Sequence, residues 1–456
     1  MSTKGIRDFR PRIHFAPTDN WMNDPNGMVY INGTYHFCYQ KYPGDTVWGP
    51  MHWGHAVTKD LLHWEHLPIA LYPDELGYIF SGSSVYDKYN TSGYGTKESP
   101  PIIAVYTSHD SETGLEQQSI AYSVDGGKHF EKSYLNPVIE NPGIPDFRDP
   151  KAFWNPVHRC WSLVLAAQDR VYFYSSQNLK KWEKTGEFGP EGNRVKGVWE
   201  CPDLFRIKYE DQVFWILVVS MTKTDEERCR IQYFIGDFDG DKFICTHPAD
   251  EVLWLDDGFD NYAGVTFQNY DSPLLMGWAM NWTYASKVPT NEFCGQATLA
   301  RSLSVRETKA GYRLAGHAEG LDKFRHMAYP VKSGVHLMTE TFGLKVKGEG
   351  EGRIYLSNSE GQRLEIEVTE DTITVNRTIA GYREFDEQFM TSEYSVASAK
   401  RLKEGSWDLE VIFDVSVLEV FADGGLNMIT MVVFPDTPYD TIKWKGSLEV
   451  SLFEIN

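Results

Sequence analysis

Short apolar runs dominate the chain. Gly27-Met28-Val29-Tyr30-Ile31, Ile102-Ile103-Ala104-Val105-Tyr106 and Phe214-Trp215-Ile216-Leu217-Val218-Val219 are rich in β-branched and aromatic residues. Most are bounded by Gly, Pro, Asn, Asp or Ser, the residues that separate strands with turns. Apolar residues at helical spacing are scarce, the best short candidate lying near Gly320 to Met327, so the pattern predicts an all-β protein. A repeat sharpens this. An acidic or amide residue stands four or five positions before an aromatic at Asp60 and Trp64, Asp125 and Phe130, Asn178 and Trp182, and Asp239 and Phe243. The pairs recur roughly every 50 to 65 residues, room for a four-stranded antiparallel sheet with its loops, and about five such units fit before residue 310. The spacing predicts a five-bladed β-propeller, although hairpin turns plugged by an aromatic would leave the same mark.

Beyond residue 310 the tryptophans thin out and strict alternation takes over, as in Arg363-Leu364-Glu365-Ile366-Glu367-Val368 and Asp408-Leu409-Glu410-Val411-Ile412-Phe413-Asp414. This predicts a separate β-sandwich, with Gly-rich Val346 to Gly352 as a loop inside it. The expected division is a catalytic propeller over 1–310, a short connection over 311–330 and a C-terminal β-sandwich over 331–456. A chain of 456 residues exceeds one ordinary core, which agrees with two units.

Charge narrows the partners. A formal net charge of −20 opposes nucleic acid, which needs a basic stripe to displace counterions, and no such stripe is present. The six cysteines, Cys38, Cys160, Cys201, Cys229, Cys245 and Cys294, are scattered and form no C-x-x-C pair, so they are expected to be reduced thiols. The first residues run into polar sequence without an apolar signal segment, and no later run of 18 apolar residues occurs. The expectation is a cytoplasmic enzyme with no membrane partner; a homo-oligomer stays open.

Three acids stand out among the 64. Asp24 lies in Trp21-Met22-Asn23-Asp24-Pro25-Asn26-Gly27, where Pro25 lacks an N–H and Asn26-Gly27 suits a tight turn that would hold Asp24 at a strand mouth. Asp149 follows Arg148 and precedes Pro150, and a guanidinium beside it would keep the carboxylate ionised. Glu200 sits between Trp199 and Cys201, apolar surroundings that raise a carboxyl pKa and suit a general acid. Each has a plainer alternative: a turn without chemistry, a surface ion pair, or, for Trp199, a place in a blade core. Cleaving a glycosidic bond needs such a set, one carboxyl to protonate the leaving oxygen and another to attack the anomeric carbon or activate water.

Taken together and in this order, Trp21 to Gly27, Arg148-Asp149-Pro150 and Glu200-Cys201-Pro202 closely resemble the motifs of glycoside hydrolase family 32, the invertases, inulinases, levanases and sucrose-6-phosphate hydrolases. Likeness continues through Gln40, Trp48 to Ala56, Phe80 to Ser83 and Leu418 to Gly424, and so spans nearly the whole chain. The resemblance implies a propeller followed by a sandwich, no cofactor, and a retaining mechanism with Asp24 as nucleophile, Glu200 as acid/base and Asp149 binding fructose hydroxyls. In such a mechanism the two working carboxyls lie about 5 to 5.5 Å apart. It further implies substrate contacts at Asn23, Gln40, Trp48, Phe80, Ser81, Arg148, Tyr262 and Trp282.

Met276 to Ala285 with Val288-Pro289-Thr290 resembles a segment typical of exo-acting inulinases and levanases, which favours terminal β-D-fructofuranosyl residues of fructans, fructooligosaccharides or sucrose as substrate. Departures from the family pattern at Tyr42, Asn261, Phe293-Cys294 and Leu299 to Leu303 point to an altered leaving-group side. Sucrose-6-phosphate hydrolysis, fructosyl transfer and a non-catalytic sugar-binding propeller are the alternatives. A metal at His52 and His55, or at His63 and His66, is disfavoured because i, i+3 spacing on strands does not bring both rings to one face. A serine hydrolase lacks its G-x-S-x-G elbow.

Overall fold

The computed structural model describes residues 7–190, 197–225, 227–248 and 250–455. It is all-β: the one α-helix among them is a single turn, Asp322–Arg325, inside the stretch where the sequence suggests a helix. The chain forms two compact units that do not follow it linearly.

One unit comprises Asn20–Trp254 and Tyr262–Trp278. Its strands pair antiparallel with their neighbours in sequence, as short hairpin connections dictate. Asn20–Ile31, Thr34–Tyr42, His52–Thr58 and Glu65–Leu71 form the first sheet. Tyr78–Tyr86, Ile102–His109, Glu116–Ser123 and Glu131–Lys132 form the second. The third is Phe147–Asn155, Cys160–Ala167, Arg170–Ser176 and Glu183–Phe188. The fourth begins at Trp199–Tyr209, continues through Gln212–Met221 and Arg230–Phe238, and ends with the short strands Phe243–Cys245 and Leu253–Trp254, both beside Arg230–Phe238. A hairpin of Tyr262–Thr266 and Leu274–Trp278 follows.

Successive sheets are glued face to face. Trp53, Ile79 and Tyr106 lie between the first two, Val105, Phe147 and Leu163 between the second and third, and Phe153, Trp199 and Phe234 between the third and fourth. Each large apolar side chain buried in this way contributes about 1.5–3 kcal/mol. Trp199 is therefore a core residue, packed between Phe188 and Phe234. The four acid-to-aromatic repeats mark one place in each of the four sheets, the turn before the strand that follows the third. There the side-chain oxygen accepts backbone N–H bonds: Asp60 from Leu62 and His63, Asp125 from Lys128 and His129, Asn178 from Lys180 and Lys181, Asp239 from Asp241 and Lys242. Such Asx-type turns explain why the residue must be Asp or Asn.

The other unit gathers residues 7–19, 255–261 and 279–455. Two six-stranded antiparallel sheets make its sandwich, one built on Thr341–Gly348, Trp407–Asp414 and Val417–Ala422, the other on Gly352–Ser357, Arg363–Val368 and Thr372–Ile379. Inward and outward residues alternate along Arg363–Val368 as the sequence suggests. Buried ion pairs hold the stray segments. Arg301 reaches Asp256 at 2.8 Å and Glu419 at 2.9 Å, Arg377 reaches Asp260 at 2.7 Å, and His14 sits between Asp414 and Glu419.

Candidate active site

In the unit of Asn20–Trp254 and Tyr262–Trp278, the first strand of each of the four sheets, and of the final hairpin, carries the same irregularity: two residues oppose one on the neighbouring strand. The extra residue falls at Asn23/Asp24, Phe80/Ser81, Asp149/Pro150, Cys201/Pro202 and Ala263/Gly264. Such bulges break the ladder, bend the strand and re-aim side chains. Asp149, Cys201 and Ala263 take positive φ there, +66°, +46° and +54°, strain characteristic of functional positions. The prolines suit these points because Pro25, Pro150 and Pro202 have no N–H to leave unpaired. Asp24 is thus not at a strand mouth before a turn, as expected; the strand runs unbroken from Asn20 to Ile31 and the bulge sets it. Gly27 has φ +53°, and a methyl on it would come within 2.8 Å of the Trp53 ring.

The bulges bring the predicted residues together. Asp24, buried, accepts from Asn23 Nδ2 at 3.0 Å on Oδ1, and from Ser81 Oγ at 2.6 Å and Cys201 Sγ at 3.4 Å on Oδ2. Trp21 Nε1 in turn donates to Asn23 Oδ1 at 2.7 Å and fixes that amide. Asp149, also buried, accepts from the Cys201 backbone N–H at 2.9 Å, while its own N–H donates to Thr107 Oγ1 at 3.0 Å. Glu200 accepts at Oε2 from the Tyr262 hydroxyl at 2.5 Å, and at Oε1 from Arg148 Nε at 3.2 Å and Nη2 at 2.9 Å.

Two expectations about charge change. Arg148 turns its guanidinium to Glu200, and to Glu116 and Asp146 through Nη1, instead of bonding Asp149. Burial therefore wins at Asp149, pushing its carboxyl up to about 8; Arg148 opposes the rise, while Glu200 and Asp24 add to it. Burial also raises Glu200, against the pull of Arg148 and Tyr262. The flanking Trp199 is not the cause, since it faces the core.

Gln40 engages its amide N–H groups within the protein, donating to Asn26 Oδ1 at 2.7 Å and to the Ile79 carbonyl at 3.0 Å. It ties the floor of the site together. Phe80 stacks on His109 at 4.2 Å, and Trp48, 43 % exposed, packs edge-on to Phe80 at 6.2 Å. Trp282 belongs to the other unit and is 37 % exposed. The departures expected to alter the leaving-group side include Asn261, Phe293 and Cys294, yet all three are buried. Asn261 bonds Asp256, Phe293 lies under Arg10, and Cys294 donates to the Ala285 carbonyl. Leu299 and Arg301 are bound to Glu419 in the same network.

Sequence reasoning missed Cys201 as a ligand of both Asp24 and Asp149, and Glu116, Asp146 and His109 as partners of Arg148 and Phe80. For Cys201 the signal was its place in the Glu-Cys-Pro motif; for the others nothing local marks them. His55 packs against His36 in the core with its pKa lowered to about 3 by burial, and His63 closes on Asp60 in its turn. Among the described residues no group of three or more His, Cys, Asp or Glu is placed to hold a metal ion, and no helix is long and apolar enough to cross a membrane.

A carboxylate held by three donors, a second carboxyl raised by burial yet within reach of an arginine and a tyrosine, and a third acid between them are the equipment of a glycoside hydrolase. Comparison with known proteins makes the class specific. The profile of the glycosyl hydrolases family 32 N-terminal domain matches residues 14–315 and that of the family's C-terminal domain residues 316–455. The chain belongs to glycosyl hydrolase family 32. It is 41 % identical over 459 residues to a levanase of Bacillus subtilis, covering 94 % of this chain and 67 % of the relative. A levanase of Bacillus sp. is 32 % identical over 469 residues, covering 94 % of this chain and 49 % of the relative. The chain thus spans two thirds and half of the lengths of these relatives. The crystal structure of an exo-inulinase from Aspergillus awamori superposes with a TM-score of 0.90 at 28 % identity, covering 100 % of this chain and 99 % of that one. A propeller with a β-sandwich is therefore the architecture.

Proposed function

We propose that this chain is an exo-acting, retaining β-fructosidase that removes terminal β-D-fructofuranosyl residues from fructans, fructooligosaccharides or sucrose. The observation that carries the reading is the division of labour between two carboxyl groups on different sheets. Asp24 is held by Asn23, Ser81 and Cys201, donors that fix its direction, as a nucleophile requires. Glu200 is raised by burial and held at both oxygens, as a group that must give and then regain a proton requires.

In the first step the Glu200 proton passes to the leaving-group oxygen as an Asp24 oxygen bonds the anomeric carbon. In the second, ionised Glu200 takes a proton from water, whose oxygen displaces Asp24, and β-fructose is released with its configuration retained. Asp149, raised to about 8, can donate as well as accept towards fructose hydroxyls below that pH. Trp48 and Phe80 supply the apolar wall at the mouth. The named activities of the relatives, levanase and exo-inulinase, support the substrate class.

The test is product analysis with sucrose, sucrose 6-phosphate, inulin, levan and short fructooligosaccharides, repeated in methanol. Fructose, and methyl β-D-fructofuranoside from the trapped intermediate, are expected, and both vanish in Asp24→Asn and Glu200→Gln. No fructosyl product from any substrate would overturn the function; an α-configured methyl product would overturn the mechanism.

A further inference from the structure

The arginine that contacts Glu200 presents a difficulty. A guanidinium 2.9 Å from a carboxyl group stabilises its ionised form, which is the wrong bias for a proton donor. The geometry around Arg148 resolves it. The guanidinium is divided: Nε and Nη2 face Glu200 Oε1, while Nη1 lies 3.2 Å from both Glu116 oxygens and 2.7 Å from Asp146 Oδ1. Glu116 is buried at the start of the Glu116–Ser123 strand, and its Oε1 lies 3.4 Å from His109 Nδ1. Asp146, with φ +53°, immediately precedes the strand that carries Arg148.

We propose that Glu116 and Asp146 are positioning residues of the reaction: they clamp Arg148 in its pose against Glu200 and offset its charge, so that the arginine orients the acid/base while leaving it able to hold a proton. This rests on Glu200 acting as the acid/base. Burial works against the charge of Glu116, but His109 and Arg148 outweigh it and keep the carboxyl below its ordinary value. The other groups facing Glu200 are Asp24 from the first sheet, Asp149 from the third, Cys201 and Cys229 from the fourth, and Tyr262 from the final hairpin. Asp149 also acts on the Arg148 charge, but it is Glu116 and Asp146 that bind Nη1, the nitrogen not turned to Glu200. The clamp also joins two parts of the pocket, because His109, against Glu116, is the ring on which Phe80 stacks.

The experiment compares pH profiles of kcat/KM on sucrose or inulin for the wild type, Glu116→Gln and Asp146→Asn, each checked for its melting temperature. Glutamine keeps the size of Glu116 and an acceptor for Arg148 but removes the charge. With the offset gone, Glu200 loses its proton at lower pH. The alkaline limb should move down by about one pH unit, a roughly tenfold lower rate on that limb, while the acid limb stays in place. Asp146→Asn, at a more exposed carboxylate, should shift the same limb less and serves if Glu116→Gln does not fold. Titration of Glu200 by 13C NMR in glutamate-labelled protein, read as the difference from Glu200→Gln, gives the same shift without turnover. An alkaline limb and a Glu200 titration unmoved in the folded variants, or a loss of rate equal at every pH, would overturn the clamp. Absence of fructose from the wild type would instead overturn the function, with the titration still deciding the clamp.

Discussion

Replacing Tyr262 by phenylalanine removes one atom from the site and should move the enzyme's pH dependence in a direction opposite to that expected for Glu116→Gln. The Tyr262 hydroxyl donates to Glu200 Oε2 at 2.5 Å, and the ring is 1 % exposed, so phenylalanine fills the same space. A hydrogen bond to a charged group contributes about 1.5–3 kcal/mol, and each pH unit corresponds to about 1.4 kcal/mol. Arg148 still holds the other oxygen through two bonds, which favours the lower end of that range. Because the hydroxyl stabilises the ionised carboxyl, its loss raises the Glu200 pKa. The alkaline limb of kcat/KM should rise by about one pH unit. At the optimum kcat should fall by roughly tenfold, since the carboxyl swings about one anchored oxygen. The assay is initial rates of fructose release in half-unit pH steps. An alkaline limb that stays or moves to lower pH in a folded variant would refute the reasoning.

Two further outcomes are expected. Burial alone would lower the His14 pKa, but Asp414 and Glu419 win and raise it from 6.5 to about 9, which contributes about 3 kcal/mol of stability. That contribution is complete below pH 6.5 and is lost as pH rises through 9. The wild-type Tm should therefore fall across this window, and His14→Gln should lower Tm at pH 6 and flatten its decline; a parallel decline in both would contradict this. At the mouth of the pocket, a methyl on Gly49 would come within 2.4 Å of the Tyr42 ring, displacing the turn that carries Trp48. Gly49→Ala should raise KM about fivefold, the worth of roughly 1 kcal/mol of aromatic contact, with kcat nearly unchanged; a lowered kcat at constant KM would count against it.

The sheets were legible from residue order because turns and strands are local. Asp60, Asp125, Asn178 and Asp239 announce the turns they cap, and the alternation of Arg363–Val368 announces its sheet. Asp24, Asp149 and Glu200 were legible because each lies within two residues of a proline in a run that should not tolerate one. A Pro or Gly also falls in or just after each bulge, at Pro25, Gly82, Pro150, Pro202 and Gly264. What stayed hidden was direction. Arg148 and Asp149 are neighbours in sequence, but residues in a strand point to opposite faces, and the partners Arg148 does take come from two other strands and the preceding turn. Glu116 and His109 carry no local mark, because their importance arises only where the second sheet meets the third. Asn261, Phe293 and Cys294, all buried, illustrate the converse: a departure from a family pattern shows that a position has changed, not which way its side chain faces.

The bulges have a consequence for how this site varies. Its acids are addressed by strand register, not by loop length, and register is defended by every ladder hydrogen bond and every buried face around it. A loop between sheets can lengthen, shorten or change its residues without moving Asp24, Asp149 or Glu200, because none of them hangs from a loop. The turn bearing Trp48 is free in the same sense. The scaffold thus separates two kinds of inheritance: acids written into pleat and register, where a one-residue slip scrambles the whole, and a rim written into turns, where change is cheap.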